Sequence, residues 1–222
     1  MSHSLLGRLG LMAIVLVVPL QVNTAHASDK ELRFIISLKA SPFASSASPH
    51  PIFPSLLLRV ENRLNDKEIT YEQFTLGLTN TWTSWLRTEL YATPREILTA
   101  DAPGKWKEVH GASTIFSVSR RYFSLINRNT LEWHVSDDFV RTRHQLKLHL
   151  KLNKSLRGFL LYEFRWDQDS MRVNMQTTAL GLLWRVRPHW SLRLMLADEQ
   201  NRRNRPQWSS VYFAGLSITV TL

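Results

Sequence analysis

The chain has 222 residues, with 28 Lys and Arg against 18 Asp and Glu, and it contains no cysteine. The lack of cysteine excludes a disulfide framework, a thiolate zinc site, an iron–sulfur cluster and a cysteine nucleophile. Charged residues make up 21% of the chain and the mean hydropathy is −0.20, which excludes a polytopic helical membrane protein and a low-complexity disordered chain. A soluble fold and a β-barrel both fit this composition.

The first 27 residues have the parts of an export signal. Arg8 supplies a positive charge, an apolar run follows at residues 9–20, and the small residues Ala25 and Ala27 close the segment. Small side chains at these two positions fit the subsites of a signal peptidase, and the apolar run is short for a spanning helix. The sequence therefore predicts a cleaved signal peptide at residues 1–27, with an uncleaved anchor as the alternative.

The predicted mature domain, residues 28–222, is dominated by alternation of apolar and polar side chains. Residues 32–40 alternate, and a Ser- and Pro-rich connection at residues 41–55 separates them from the rest. Such alternation predicts strands, because successive side chains of a strand point to opposite faces. Less regular strands follow at residues 56–64, 70–79, 84–92, 107–118 and 125–135.

The clearest alternation lies at residues 140–152, where leucines oppose a row of Arg, Lys and His. At helical spacing these leucines would scatter around the whole cylinder, so a strand is the better prediction. The pattern recurs at residues 157–166, 190–199 and 212–222. Between residues 171 and 186 the apolar face changes sides, which either a β-bulge or a crossing between rims would produce.

Short polar turns separate these strands at residues 65–67, 136–138, 153–155, 167–170 and 187–189, and longer connections are predicted at residues 94–105 and 200–207. Strands joined by short turns run antiparallel. The predicted fold is all-β, a single up-and-down antiparallel transmembrane β-barrel of about 10–12 strands, with an even count of ten or twelve expected. If the last strand ends in the periplasm, the turns at 153–155 and 187–189 lie there, and the connections at 94–105, 136–138, 167–170 and 200–207 lie outside.

Three features favour a barrel in the cell outer membrane over a secreted soluble β-barrel or sandwich, which remains the alternative. The chain alternates up to its last residue, Leu222, and the polar faces carry both signs of charge in mid-strand. Aromatic residues, which favour membrane interfaces, lie at or near the predicted strand ends. They are Trp82, Trp85, Trp106, Trp133, Trp166, Trp184, Trp190 and Trp208, with Tyr91, Tyr122 and Tyr162.

Four strand motifs occur in order along the chain. They are NRNTLEW at residues 127–133, RTRHQL at 141–146, YEF at 162–164 and ALGLLW at 179–184. Their succession resembles the strands of the bacterial barrel family known as domain of unknown function 2490, over about residues 56–222. The resemblance implies a Gram-negative outer-membrane barrel and carries no assigned activity.

The charged faces of the strands are the main candidate site. In a small barrel such side chains form an interior ladder of ion pairs that fills the lumen. Because Arg and Lys outnumber Glu, a narrow anion-selective channel is the alternative. The predicted lumen residues are Arg59, Glu61, Arg63, Glu132, Arg141, Arg143, Lys147, Lys151, Arg157, Glu163, Arg165, Arg193 and Glu199.

A second cluster of cations, Arg202, Arg203 and Arg205, falls in a connection on the predicted outer side. Guanidinium groups bind phosphates in bidentate fashion, so these residues predict a contact with lipopolysaccharide phosphates. An ordinary solvated loop is the alternative. The expected partners are therefore outer-membrane lipids, together with the outer-membrane assembly machinery during biogenesis. Export and the lack of a nucleic-acid-binding module argue against nucleic acid.

Catalysis has one weak candidate, a His134 base and a Ser136 nucleophile two residues apart on one strand face. Outer-membrane lipid acyl hydrolases look similar there, but their Asn after the Ser is replaced here by Asp137. No metal-ligand spacing and no glycine-rich phosphate loop occurs, so neither a metal nor another cofactor is expected. The sequence favours a structural or lipid-contacting barrel over an enzyme.

Overall fold

A computed structural model of the chain describes residues 29–40, 55–65, 68–99, 102–202 and 208–221. The predicted signal peptide at 1–27 and all of the predicted connection at 41–55 except Ser55 lie outside these ranges. The strands are β1 (Asp29–Ala40), β2 (Ser55–Asn65), β3 (Glu68–Thr81), β4 (Leu86–Thr99), β5 (Ala102–Ser119), β6 (Phe123–His134), β7 (Phe139–Lys151), β8 (Leu156–Asp167), β9 (Arg172–Arg187), β10 (Trp190–Asn201) and β11 (Ser209–Thr221). None of the helical structure in the described residues is long and apolar enough to cross a membrane.

These eleven strands form one closed barrel in chain order, which confirms the predicted all-β, up-and-down architecture. Consecutive strands pair antiparallel, and β1 closes the sheet by pairing parallel to β11, from Asp29 opposite Val211 to Lys39 opposite Thr221. Eleven lies within the predicted range, but the expectation of an even number is wrong. That expectation assumed that the first strand begins at the same end of the barrel at which the last strand finishes. Because β1 runs parallel to β11, it begins at the opposite end.

The barrel has two rims. The C-terminal rim, where β11 finishes, carries the turns at residues 82–85, 120–122, 152–155 and 188–189, and the N-terminal rim, where β1 begins, carries those at 135–138 and 168–171. The grouping of turns by parity is therefore confirmed for the described residues.

The long connection predicted at residues 94–105 is wrong, because β4 continues to Thr99 and β5 starts at Ala102. Pro94 suggested a strand end, since proline lacks the N–H that a ladder needs. In the barrel, the β3–β4 ladder is interrupted between the pairs that Ala92 and Arg95 make. Pro94 lies in that gap, where its missing donor breaks no bond to β3. The other predicted connection, at 200–207, is described only at its ends, since β10 runs to Asn201.

The change of face on β9 is a bulge. Arg165 of β8 lies opposite Met175, and the next residue, Trp166, lies opposite Val173, so Asn174 is an extra residue on β9. An extra residue shifts the alternation by one position. This explains why the apolar side changes parity without a crossing between rims.

The apolar faces of the strands form the outer wall. Leu90, Leu180 and Leu196 are 60%, 57% and 61% exposed on three different strands. Buried Arg33, Arg141 and Glu163 lie at the alternate positions, which face the lumen. A small buried apolar cluster, Ala179, Ala197 and Phe213 with Leu161 and Met195 packed against it, lies among these inner positions. The sidedness is the reverse of that of a water-soluble barrel.

Two aromatic rings inside the barrel lie across glycines of the neighbouring strand. A Cβ at Gly111 would lie 2.1 Å from Cζ of Tyr91, and a Cβ at Gly181 would lie 2.1 Å from the Leu194 carbonyl oxygen and 2.7 Å from Cζ of Phe159. Atoms cannot approach so closely, so the rings and strands keep this spacing only where the side chain is a hydrogen. The obstacle at Gly181 includes backbone, which cannot rotate away.

We predict that Gly181→Ala lowers the free energy of unfolding by about 1–3 kcal/mol, the usual cost of overpacking. Gly158→Ala is the matched control on the adjacent strand, because its added Cβ would meet only Cδ1 of Leu152 at 3.9 Å. Urea-induced unfolding of the refolded protein, followed by loss of strand signal in circular dichroism, measures both. Equal effects of the two substitutions would contradict the close packing at Gly181.

Candidate functional site in the barrel interior

Charged side chains meet inside the barrel because inner positions recur every second residue on each strand. Several contacts span more than one strand spacing. Arg33 on β1 donates to Glu199 on β10 at 3.2 Å, with β11 between them. The Tyr91 hydroxyl on β4 donates to Glu132 on β6 at 2.9 Å, with β5 between them. These side chains therefore extend into a shared lumen.

The ion pairs form a network, here called the paired network, in the half of the lumen nearer the N-terminal rim. Glu163 lies at a junction of this network, accepting from Arg143 at 2.8 Å, Arg165 at 2.9 Å and Gln145 at 2.8 Å. Each buried carboxylate faces at least one guanidinium, so charge is nearly balanced. The members are Glu31, Arg33, Glu61, Arg63, Glu132, Arg141, Arg143, Glu163, Arg165, Asp167 and Glu199.

The β9 bulge is part of this network. Asn174, the extra residue, donates its side-chain amide to Asp167 at 2.6 Å. Asp167 also accepts from Arg141, at 2.5 Å to Nε and 3.3 Å to Nη2. A buried carboxylate with three such donors is well satisfied. The bulge therefore directs the Asn174 side chain into the lumen, whereas regular alternation would direct it to the outer wall.

The half of the lumen nearer the C-terminal rim holds a different set, here called the cationic cluster: Arg59, Arg128, Lys147 and Arg193. Arg128 pairs with Glu89 at 2.6 Å. Among the described residues, no carboxylate lies within ion-pair distance of Arg59, Lys147 or Arg193. The Nε atoms of Arg59 and Arg193 are buried without a hydrogen-bond partner in that part of the chain.

A pocket of about 150 Å³ opens at the C-terminal rim, lined by residues of β8, β9 and β10 and of the adjoining turns. Arg157, Arg185 and Ser191 contribute from the inner side of β8, β9 and β10. Lys154 and His189 contribute from the adjoining turns. The mouth of the lumen at this rim is therefore basic.

Of the thirteen predicted lumen residues, eight belong to the paired network and three to the cationic cluster. Lys151 donates to the Arg120 carbonyl at 2.8 Å at the C-terminal rim, and Arg157 lines the rim pocket. Sequence reasoning missed Glu31, Arg33, Glu89, Arg128 and Asp167. Asp167 was assigned to a turn. The other four lie on alternating strands, at every second position from residues that face the lumen, so following that spacing along each strand would have found them.

The arginines predicted to contact lipopolysaccharide are partly described. Nε of Arg202 donates to the Val173 carbonyl at 3.0 Å, and its guanidinium lies 4.9 Å from the ring centroid of Trp208. These contacts hold the side chain near the N-terminal rim. Arg203 and Arg205 lie outside the described residues, so the lipopolysaccharide contact stays a prediction.

The expectation that His134 and Ser136 share a strand face is wrong. β6 ends at His134, and Ser136 lies in a 3₁₀ turn, Val135–Asp137. The imidazole is buried, stacked on Phe139 at 4.1 Å between centroids, with Nδ1 3.1 Å from Nη2 of Arg95. The Ser136 hydroxyl is exposed and accepts from the Glu108 backbone N–H at 3.1 Å. The turn separates the two groups because it breaks the alternation that the prediction assumed.

Tryptophans border the outer wall at both rims. Trp106, Trp133, Trp166 and Trp208 lie towards the N-terminal rim, and Trp82, Trp85, Trp184 and Trp190 lie towards the C-terminal rim. Six of the eight are about half exposed or more. The predicted placement of tryptophans near strand ends is therefore confirmed.

Hydrogen-bonded polar side chains interrupt the apolar outer wall at several described positions, and one such group lies in mid-strand around His144. Nδ1 of His144 lies 2.8 Å from Oδ1 of Asn129. The Nδ2 amide of Asn129 in turn donates to Oδ1 of Asn127 at 2.9 Å. The group satisfies part of its own hydrogen-bonding capacity, which lowers the cost of an apolar surrounding. Elsewhere the wall has an apolar indentation of about 620 Å³ over the small residues Gly77, Ala92 and Ala112.

No group of three or more His, Asp or Glu side chains able to hold a metal ion occurs in the described residues. No known protein family matches the chain, and no curated protein is similar to it. The resemblance to domain of unknown function 2490 therefore stays a prediction. The charged lumen is therefore the candidate functional site of this chain.

We predict that Glu163→Gln lowers the free energy of unfolding by about 3–5 kcal/mol, because it leaves Arg143 and Arg165 buried without their shared carboxylate. Asp169→Asn is the control, because Asp169 is exposed in the turn between β8 and β9 at the N-terminal rim, and such surface substitutions change stability by less than about 0.5 kcal/mol. Tryptophan fluorescence during urea unfolding measures both. Similar losses would contradict a stabilising role for the paired network.

Proposed function

We propose that this chain is an outer-membrane β-barrel whose lumen is closed by the paired network and whose principal contacts are with lipids. The observation that carries the proposal is the sidedness of the barrel, with apolar side chains on the outer wall and ionic side chains inside. Among the described residues, thirty large apolar side chains are exposed, whereas a soluble monomer rarely exposes apolar patches above a few hundred Å². Lipid, rather than water, suits such a wall.

The dimensions of the wall support the same placement. The shortest strand, β2, has 11 residues and the longest, β5, has 18, and a tilted strand crosses a bilayer with about 9–11 residues. The tryptophans near both rims match the aromatic girdles of membrane barrels. Closure of the sheet pairs the edges that would otherwise expose backbone groups to lipid.

The cellular location rests on the predicted signal peptide at 1–27. With the C-terminal rim in the periplasm, Arg202, Arg203 and Arg205 would meet the outer leaflet, where lipopolysaccharide phosphates lie. The resemblance to domain of unknown function 2490 agrees with this location. The separation of His134 from Ser136 gives no support to an acyl hydrolase.

A narrow anion-selective channel is less well supported than a closed lumen. Arg33, Glu199 and their neighbours pair across the interior near the N-terminal rim. Breaking those buried pairs to open a passage would be costly. We therefore retain the closed barrel as the proposed function.

Cell fractionation with gel electrophoresis tests the location. We expect the protein in the outer-membrane fraction, and we expect unheated samples to resist SDS and migrate differently from heated ones, because a closed barrel stays folded in detergent. Recovery of the protein from the periplasm without detergent would contradict the proposal.

A pair of substitutions tests which medium surrounds the wall. Leu194, in mid-strand on β10, and Leu152, at the C-terminal rim, are 50% and 58% exposed. In lipid, Leu194→Arg should cost about 2–4 kcal/mol and Leu152→Arg about 0–1 kcal/mol, since the penalty falls from midplane to interface. Unfolding in lipid vesicles, followed by tryptophan fluorescence, measures both. In water both changes would be nearly neutral, and that result would reject the membrane placement.

A further inference from the structure

The lumen half near the C-terminal rim carries uncompensated positive charge. Besides the cationic cluster, Lys39 lies close enough to Glu89, Arg87 and Arg59 to interact with each of them electrostatically. Lys147 likewise interacts with the three cations Arg193, Arg128 and Arg59, and with one carboxylate, Glu163 of the paired network. Among the described residues, Glu89 is the one carboxylate that forms an ion pair with a member of the cationic cluster, Arg128. All four cluster residues are half-buried, and like charges gathered in such a place repel one another unless an anion lies among them.

The chain's own carboxylates are engaged elsewhere. Glu61 pairs with Arg63 at 2.9 Å, and Glu163 pairs with Arg143 and Arg165. Buried donors nearly always find an acceptor in a native structure, yet the Nε atoms of Arg59 and Arg193 have none among the described residues. Arg143 of the paired network also has a buried Nε without a partner, but its guanidinium pairs with Glu132 and Glu163. Arg59 and Arg193 form no such ion pair among the described residues, and this is what distinguishes the cationic half.

We propose that the cationic cluster is a binding site for a small, multiply charged oxyanion of the phosphate class. Several guanidiniums and an ammonium around one point match the charge and acceptor oxygens of such a group. The Phe159 ring lies under the site, 5.9 Å from Nζ of Lys147 and 5.7 Å from Cζ of Arg193. The ring gives the site an apolar floor, which strengthens the attraction of cations for an anion.

In this proposal the anion enters through the rim pocket, whose lining residues lie nearer the rim than the four cluster residues. Ser191, which lines it, precedes Arg193 by two residues on the same face of β10, and Lys154, Arg157 and Arg185 make the entrance attractive to anions. Its volume of about 150 Å³ is several times the roughly 30 Å³ that one water occupies in the liquid. A free phosphate fits that space. In the proposed closed barrel the paired network blocks the far end, so the proposal describes a binding site and not a channel.

This proposal depends on the barrel and its interior, and not on the membrane location. The test uses the full mature chain refolded in detergent, in low-salt buffer, with isothermal titration by inorganic phosphate and thermal unfolding in parallel. We expect phosphate to bind and to raise the unfolding temperature, because a ligand that binds only the folded state stabilises it. Potassium chloride at equal ionic strength should give a smaller rise.

Two variants remove charge from the site, Arg193→Gln and Lys147→Gln, and Arg120→Gln is the control at the same rim. We expect each site variant to weaken phosphate binding at least 10-fold and, without phosphate, to unfold at a temperature equal to or above that of the unmodified chain, because repulsion is relieved. The control should leave phosphate affinity unchanged. A purely structural role for these cations would instead lower the unfolding temperature in both variants.

Competition by a short-chain phosphatidic acid distinguishes a lipid headgroup from a soluble phosphate as the source of the phosphoryl group. Loss of phosphate binding on its addition assigns the site to a lipid headgroup, and unchanged binding assigns it to a soluble anion. Absence of phosphate binding by the unmodified chain would overturn the proposal. Equal stabilisation by chloride, or unchanged affinity in both site variants, would also overturn it, whatever the fractionation experiment finds.

Discussion

Closure of the sheet through the parallel pairing of β1 with β11 leaves every strand hydrogen-bonded on both sides. Each strand side chain then faces either the outer wall or the lumen, and its parity along the strand decides which. A bilayer tolerates such a structure because backbone groups bond within the sheet. The division of the side chains into a wall set and a lumen set follows from this one constraint.

The two halves of the lumen differ in how far their charges are balanced. Near the N-terminal rim, carboxylates and guanidiniums pair through Glu163, Glu132 and Glu199. Near the C-terminal rim, Arg59, Lys147 and Arg193 share the space without comparable partners in the described residues. A barrel that needed only a plug would gain more from pairing all of these charges. The proposed anion from outside the chain would balance these charges.

Local exceptions to regular alternation adjust the barrel without opening it. The bulge at Asn174 places an amide against Asp167, and the gap in the β3–β4 ladder accommodates Pro94. Gly111 and Gly181 let aromatic rings cross the inner surface of the neighbouring strand. Each device lies where a regular strand would leave either an unsatisfied group or a steric clash.

The sequence by itself determined the strands, most of their turns and the residues that share a face, because alternation with period two is a local property. Arg141, Arg143 and Lys147 could be placed together from it, as could the tryptophans near strand ends. Only the tertiary structure decided which face is inside, since alternation is the same for a soluble and an inverted barrel. It also decided the pairing of Arg33 with Glu199, 166 residues apart, and the parallel closure by β1, because such contacts depend on how the strands close and not on any local pattern.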